Sequence, residues 1–353
     1  MDKKLRVLVA GCGNMGASHA RAYHKMSQFE IAGLVSRRPE SRKELTDELG
    51  GVPGFNSFDE ALEKTNPDAV SINTYPDTHS DYVIKSLDAG AHVFVEKPLA
   101  LTVEEAQQIV DKAKTVDKKV VVGYILRVHP AWKKFIEIAQ TLGKPLVMRM
   151  NLNQQSSGKT WDTHLNLMKS MSPIVDCGVH YVDVMCQMTE SKPVSVNAIG
   201  AKLTDEVAND MYNYGHLQVT FENGSVGWYE AGWGPMISET AFFVKDVMGP
   251  KGAVSIVEKT GNSDDIDLHS KTNSLKLHHG KLGPDRKFEK SDEYISTEDE
   301  PDHQGLCDLE QEFFLKAIQE NLDLSAHLND AVNSLKIVMA ADEAFKTGKT
   351  VFL

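Results

Sequence analysis

Leu5 to Ala10 (LRVLVA) runs straight into Gly11-Cys12-Gly13-Asn14-Met15-Gly16, and a helix-forming stretch, Ala17 to Met26, follows at once. A continuous apolar run of this kind reads as a strand buried on both faces. G-x-G-x-x-G between such a strand and a helix leaves few folds open. Gly11 permits the tight turn, Gly13 lets a pyrophosphate approach the backbone, and Gly16 lets the helix pack on the strand. The helix N-terminus then offers unpaired N–H groups and a positive dipole end to phosphates, with Asn14 and Met15 in the same loop. The order strand, loop, helix is the context such a motif needs. It predicts a dinucleotide-binding unit, against the plainer reading of a tight turn with no ligand.

The next strand is expected over Glu30 to Ser36 and is followed by Arg37-Arg38-Pro39. In a dinucleotide fold this strand end meets the adenine ribose, where an acidic residue selects NAD. Here stand a serine and two arginines, whose planar cationic forks suit a 2′-phosphate. Ser36, Arg37 and Arg38 therefore predict NADP(H) over NAD(H). The alternative is two solvated loop charges.

Helices and strands go on alternating. Helices are expected over Pro39–Leu49, Phe58–Lys64, Ser80–Ala89 and Leu101–Val116, with strands at Ala69–Asn73, His92–Val95 and Lys119–Ile125. That alternation predicts a doubly wound parallel sheet. With 353 residues the chain has room for about two domains. A net charge of −12 argues against nucleic acid and against anionic membranes as partners. Cys12, Cys177, Cys186 and Cys307 form no CxxC pair and no zinc spacing, which fits reduced thiols in a cytoplasmic protein and no metal. No apolar run is long enough to span a bilayer, and Arg6 interrupts the only run near the N-terminus, so a signal peptide is not expected.

Two further stretches carry chemistry. Thr74-Tyr75-Pro76-Asp77-Thr78-His79 forms a loop after a strand; His79 either approaches the cofactor or is a hydrogen-bonded structural histidine. Ala91 to Ala100 (AHVFVEKPLA) is a short buried strand ending on Glu96-Lys97-Pro98. A lysine at the carboxyl end of such a strand points where α/β sheets bind ligands, and the proline restricts its backbone. The bland reading is a lysine that caps a strand at the surface.

GCGNMG, the Thr74–His79 loop and AGAHVFVEKPLALT together closely resemble the glucose–fructose oxidoreductase, inositol dehydrogenase and rhizopine-catabolism (Gfo/Idh/MocA) family. The resemblance implies an N-terminal Rossmann domain, residues 1–126. It also implies a C-terminal substrate-binding and oligomerisation domain, residues 127–353, an α/β unit on a large, mostly antiparallel open sheet. It places Lys97 in the active site, with a cis Lys97–Pro98 bond, and Glu96 and Lys97 beside the cofactor with Thr74 and His79. It implies a homodimer or homotetramer.

Beyond Arg127 at the crossing point, Pro130 opens a helix. Gln154 to Ser170 reads as a polar loop. Its Trp161 offers a ring face to a sugar and its Asp162 and His164 offer hydrogen bonds to hydroxyls, or the loop packs only on itself. Asp176 and His180 stand four apart, a spacing that shares one helix face. Such a pair is more often structural than catalytic, yet it matches the family's D-x-G-x-H-x-x-D segment. The resemblance therefore joins Asp176 and His180 to Lys97 as the catalytic set and leaves Asp183 as a brace. Lys169 to Ile174 lacks the glycine-rich run usual in the family, which puts the local loop shape in doubt. Strands are expected over Val194–Ile199, Tyr212–Phe221, Ser225–Ala231, Phe242–Met248 and Ala253–Glu258, with an Asn223-Gly224 hairpin. Gly232 to Pro235 should interrupt that sheet and present Trp233 to substrate. Ser263 to Pro301, with His269, His278 and His279, reads as solvated strands and loops, and helices over Asp308–Ile318 and Leu328–Phe345 close the second domain.

The expectation is an NAD(P)-dependent oxidoreductase moving a hydride between a nicotinamide and a hydroxyl-bearing carbon of a sugar, sugar derivative or cyclitol. Two other classes stand beside it: a glycoside-cleaving enzyme with a tightly held dinucleotide cycling internally, and a non-enzymatic NADP-sensing partner protein.

Overall fold

The computed structural model describes residues 3–237, 244–257, 272, 274–297 and 299–353. The chain order is β1 (Leu5–Ala10), α1 (Asn14–Lys25), β2 (Phe29–Val35), α2 (Pro39–Glu48), β3 (Gly54–Phe55), α3 (Phe58–Thr65), β4 (Ala69–Ile72), α4 (His79–Asp88), β5 (His92–Glu96), α5 (Val103–Val116), β6 (Val120–Gly123) and α6 (Ile125–Val128). There follow α7 (Pro130–Thr141), β7 (Val147–Gln155), α8 (Gly158–Leu167), α9 (Pro173–Asp176), α10 (Gly178–Thr189), β8 (Pro193–Ala201), β9 (Tyr214–Phe221) and β10 (Val226–Gly234). The last are β11 (Lys245–Gly249), β12 (Gly252–Val257), β13 (Ser274–His279), β14 (Glu293–Ser296), α11 (His303–Gln319), α12 (Ser325–Thr347) and β15 (Val351–Phe352).

Two compact units result, one of Met1–Val128 with Pro301–Val332, the other of His129–Glu300 with Asn333–Leu353. In the first, a parallel sheet runs in the order β3-β2-β1-β4-β5-β6. Strands β1, β2, β4 and β5 inside it, and β6 at its edge, are buried along most of their length, as a sheet covered on both faces demands. The order reverses between β1 and β4, the place where doubly wound sheets bind ligands beyond their carboxyl ends. Thr102 and Glu105 form a capping box that starts α5 at Val103, two residues beyond the expected Leu101.

A reading in chain order gives everything after Leu126 to the second half, but α11 lies on α1 in the first unit. Phe314 and Leu315 join Tyr23, Phe29 and Phe94 in one buried cluster, and Lys25 pairs with Asp308 at 2.9 Å. The helix also starts earlier than its apolar spacing suggests, at His303, because the Asp302 side chain accepts from the Gly305 N–H.

The second unit has nine strands in the order β14-β13-β12-β11-β7-β10-β9-β8-β15. All neighbours are antiparallel except β7 and β10, which run parallel. Along β9, Leu217, Val219 and Phe221 are buried while the residues between them are not, the alternation of a sheet packed on one face. Two expectations fail here. The stretch 154–170 is not a loop: α8 occupies its middle, with Trp161, His164 and Met168 as its buried side. Polar composition masked that three-and-four spacing. Gly232 to Gly234 does not interrupt the sheet either, because β10 runs on, pairing with Asn153 to Gln155 of β7. Of the polar stretch 263–301, His278 and His279 end β13, whereas His269 lies outside the described residues, as does Phe242.

Candidate active site

The glycine loop after β1 is shaped by sterics that can be checked atom by atom. Gly11 has φ +95°, and a Cβ there would sit 2.3 Å from the Asn73 carbonyl oxygen. A Cβ on Gly16 would sit 1.9 Å from the Gly11 carbonyl oxygen. At Gly13, by contrast, nothing lies within 4 Å. The loop is therefore closed at its ends and open in its middle. Gly13 is also the N-cap of α1; no side chain caps the helix and no acidic residue stands in its first turn. Gly13 and Asn14 are exposed and Met15 half-buried. An open backbone at an uncapped helix N-terminus fits a dinucleotide's pyrophosphate. Cys12, which the motif leaves unspecified, is buried with its thiol pushed up to about 11 by desolvation, so it is an inert wall of the loop.

At the end of β2 the Ser36 hydroxyl accepts the Arg38 backbone N–H at 3.2 Å, and the Arg37 and Arg38 side chains are exposed. The sequence reading passed over Arg42. Its guanidinium donates to the carbonyls of Ser36 and Phe55 and so ties α2 to this strand end.

Beyond β4, Thr74 shares a 2.6 Å hydrogen bond with the Thr78 hydroxyl. His79 is wholly buried, with Nδ1 2.8 Å from the Pro98 carbonyl and Nε2 3.0 Å from the Thr74 carbonyl. It clamps the loop after β4 to the segment after β5, and burial holds its basicity below the ordinary value. Its ring exposes no surface to a cofactor. Lys97 follows the last residue of β5, half-buried, and its bond to Pro98 is cis. Its backbone N–H donates to Glu96 Oε2 at 3.3 Å, and Glu96 Oε1 lies 2.8 Å from His19 Nε2 on α1.

Behind Glu96 stands Glu310 of α11, fully buried, with neither carboxyl oxygen hydrogen-bonded among the described residues. Burial, then the charge of Glu96, pushes it well above the carboxylate range. Glu310 therefore stays protonated when folded and ionises when unfolded. Its contribution to stability is full below the unfolded value of 4.5 and is lost as pH rises from there toward the folded value. Glu310→Gln keeps the shape and removes the penalty. The expected result is an unfolding free energy that gains on wild type as pH rises above about 5, by about 1.4 kcal/mol per pH unit at most, read by denaturant melts across pH. A difference that does not change with pH would show Glu310 ionised in the fold. His19, Cys307 and Glu310 offer atoms within 4.8 Å of one another, but both His19 nitrogens are already engaged with Glu96 and Gln311, which argues against a metal site there.

In the second unit, Asp176 ends α9 and His180 stands in the first turn of α10. The two helices meet at Cys177, and the His180 N–H donates to the Cys177 carbonyl at 3.3 Å. The link residue Cys177 is itself helical, at φ −87° and ψ −38°. Asp176 and His180 are both half-buried. Asp176 Oδ2 accepts from the Cys177 thiol at 3.6 Å, and that thiol also reaches Gln154 Oε1 at 3.4 Å. Gly178 is what lets this junction sit down on the sheet, since a Cβ there would be 2.9 Å from the Tyr229 ring. Asp183 is fully buried and takes a 3.0 Å hydrogen bond from Gln187 one turn on, a bracing contact.

The remaining expected substrate residues are occupied. Trp233 is 1% exposed; His164 stacks on it at 4.3 Å and 9°, and its indole N–H donates to Gln154 Oε1 at 2.8 Å. Its face is covered by protein and offers nothing to a sugar. His164 is itself buried, pushed down to about 4 by desolvation, with Nδ1 3.0 Å from Ser156 Oγ. Trp161 is 8% exposed and donates its indole N–H to Glu206 at 3.2 Å. In the first unit Arg127 pairs with Asp330 at 2.9 Å and lies over the Tyr124 ring.

Comparison with known proteins adds an independent line. Residues 5–124 match the model of an oxidoreductase family with an NAD-binding Rossmann fold, and residues 132–253 match the GFO/IDH/MocA C-terminal domain. A UDP-N-acetylglucosamine 3-dehydrogenase of Acidithiobacillus ferrooxidans is 30% identical over 63% of this chain and 65% of its own length, a little under two thirds of that relative. A scyllo-inositol 2-dehydrogenase (NAD(+)) of Bacillus subtilis is 26% identical over all of this chain and 97% of its own. The crystal structure of a Lactobacillus casei scyllo-inositol dehydrogenase with bound NAD(H) and scyllo-inositol superposes with a TM-score of 0.77 at 19% identity, over 99% of both chains. At that identity the last likeness speaks for the fold.

Proposed function

We propose a function from one premise: this chain belongs to the GFO/IDH/MocA oxidoreductase family. It is a nicotinamide-dependent oxidoreductase acting on a CH–OH group of a sugar, sugar derivative or cyclitol. The observation that carries this reading is Lys97, placed at the carboxyl end of β5 on the sheet edge that also bears the uncapped glycine loop. The relatives named above are dehydrogenases of a nucleotide sugar and of an inositol, which supports the substrate class. They do not favour the glycoside-cleaving or the sensor readings.

The backbone of Gly11 to Gly16 and the start of α1 would hold the pyrophosphate, and Ser36, Arg37 and Arg38 the adenosine end. The bound nicotinamide supplies the hydride chemistry. This chain's own residues handle the oxygen and its proton. His180 takes the hydroxyl proton as general base. Lys97 hydrogen-bonds the reacting oxygen and stabilises the charge that develops there. Asp176 orients a substrate hydroxyl or the imidazole. The test is reduction of NADP⁺ and of NAD⁺, followed by absorbance, across hexoses, deoxy and anhydro sugars, nucleotide sugars and inositols. Turnover with one class supports the reading and names the class. Tight NADPH binding with no turnover on any of them would return weight to an internal redox cycle.

Preference for NADP(H) rests on the exposed Arg37 and Arg38, with no acid at the end of β2. Arg37→Ala should weaken NADPH binding by about 10- to 100-fold and NADH binding hardly at all, since a charge-assisted bond contributes about 1.5–3 kcal/mol. Equal losses in a titration of both cofactors would sink the preference. A homodimer or homotetramer is supported by apolar side chains left exposed on β8 and β15, Ile199 at 66% and Phe352 at 79%. Cytoplasmic residence is supported by four buried cysteines, none of them in a disulfide among the described residues.

A further inference from the structure

We propose that Tyr23, Gln311 and His19 form a directional hydrogen-bond relay that fixes Lys97 from behind, acting through Glu96. This rests on the reading of Lys97 as the residue that holds the reacting oxygen. None of the three relay residues touches substrate or cofactor; each is a positioning residue.

The direction of the relay follows from what each atom can donate. The Tyr23 hydroxyl donates to Gln311 Oε1, which leaves Gln311 Nε2 facing His19 Nδ1 at 2.8 Å. An amide nitrogen only donates, so Nδ1 is the acceptor and the imidazole proton sits on Nε2. That N–H points at Glu96 Oε1, 2.8 Å away. Glu96 Oε2 then accepts the backbone N–H of Lys97. Phe94 lies against the imidazole at 4.8 Å and keeps the ring from swinging. Tyr23, His19 and Gln311 have no exposed surface, so water does not compete for any of these bonds.

The end of the relay is one negative charge beside Lys97. Burial raises the Glu96 carboxyl; the hydrogen bond from His19 is the largest effect opposing it, the neighbouring charges including Lys97 come after, and together they hold it below its ordinary value. The attraction is mutual, so the ionised Glu96 favours the ammonium form of Lys97 and holds it for its role at the reacting oxygen. The other titratable groups facing this cluster are Tyr23 on α1, His79 on α4, and Cys307 and Glu310 on α11. Tyr23 is buried and neutral, burial disfavours charge on His79, and Glu310 holds its proton, which leaves Glu96 as the anion. A cluster that merely stapled α11 to α1 would not need a fixed imidazole tautomer.

Gln311→Glu discriminates. A carboxylate in place of the amide accepts where the amide donated, so the His19 proton moves to Nδ1 or a second proton enters. Either way the Glu96 field at Lys97 weakens. The expected result is a kcat–pH profile whose basic limb moves down by about 1 unit, with the acidic limb, KM and NADPH affinity unchanged. His19→Gln, which retains an N–H for Glu96, should keep the wild-type profile, and His19→Leu should share the shift. Superimposable profiles for all variants, with only melting temperature changed, would overturn the relay. Should the variants not fold, ¹⁵N NMR of the wild-type holoenzyme decides: a His19 protonated on Nε2 alone supports the relay, while an Nδ1–H tautomer or an imidazolium overturns it. That measurement involves no turnover. Failure of the Lys97 reading itself shows separately, as retained activity in Lys97→Ala.

Discussion

Lys97→Ala loses turnover, with kcat lower by about 10²–10³-fold or more and NADPH affinity close to wild type. The magnitude is that of removing one donor from a developing oxyanion in a water-poor site, about 2.7–4 kcal/mol of transition-state stabilisation. It falls on kcat because the ammonium interacts more strongly with an alkoxide than with the neutral hydroxyl of the bound substrate. Cofactor affinity should be spared because the proposed pyrophosphate cradle, the backbone of Gly11 to Gly16 and the open start of α1, does not include the Lys97 side chain. Lys97→Arg is the informative companion. It keeps the charge but presents a wider, planar fork in place of a compact ammonium, so most of the loss should persist. Stopped-flow turnover and a fluorescence titration of NADPH on the same samples check both halves. Retained turnover in Lys97→Ala would remove the lysine from the chemistry.

Substitution of His180 carries the second large effect. His180→Ala should lower kcat by about 10²–10⁴-fold, the usual contribution of a positioned general base. Its signature is in the pH dependence. On the proposed role, the wild-type rate should fall in acid, where a protonated His180 could no longer accept a proton from the hydroxyl. The variant should lose that acidic limb and leave a residual rate that rises with hydroxide. Asp176→Asn should lower the rate less and move the acidic limb to lower pH, because an anion beside the imidazole favours its protonated form. Asp183→Asn is the control for mere damage to α10: the residue is wholly buried and bonded to Gln187, so the effect belongs in melting temperature and not in the pH profile. An acidic limb that survives in His180→Ala would mean that another group is the base.

Part of this was readable from the residues alone, and the reason is the range over which each signal acts. The glycine loop is a steric statement about six consecutive positions, so Gly11 at φ +95° and the tight contact at Gly16 follow wherever the strand and helix around them form. Buried runs such as Val7–Ala10 and Val93–Val95 disclose a two-faced parallel sheet because the period of a strand is local. Thr102 and Glu105 announce the start of α5 for the same reason.

Other features depended on partners that spacing cannot reveal. Trp233 has the composition of a sugar platform, but its exposure was decided by His164, which lies across its face from a helix that reads as polar loop. His79 has the position of a cofactor ligand, but two backbone carbonyls close around it. Asp176 and His180 have helical spacing, while the close approach of Gly178 to Tyr229 marks where their two helices meet on the sheet. The sequence by itself determined the dinucleotide-binding half, its loop and the strand that ends on Lys97, since these rest on sterics and periodicity over a few residues. Only the tertiary structure decided that α11 returns to α1 and sets Gln311 against His19 across 292 positions of chain. Buried polar groups must find hydrogen-bond partners wherever packing brings them, and no local pattern encodes which partner that will be.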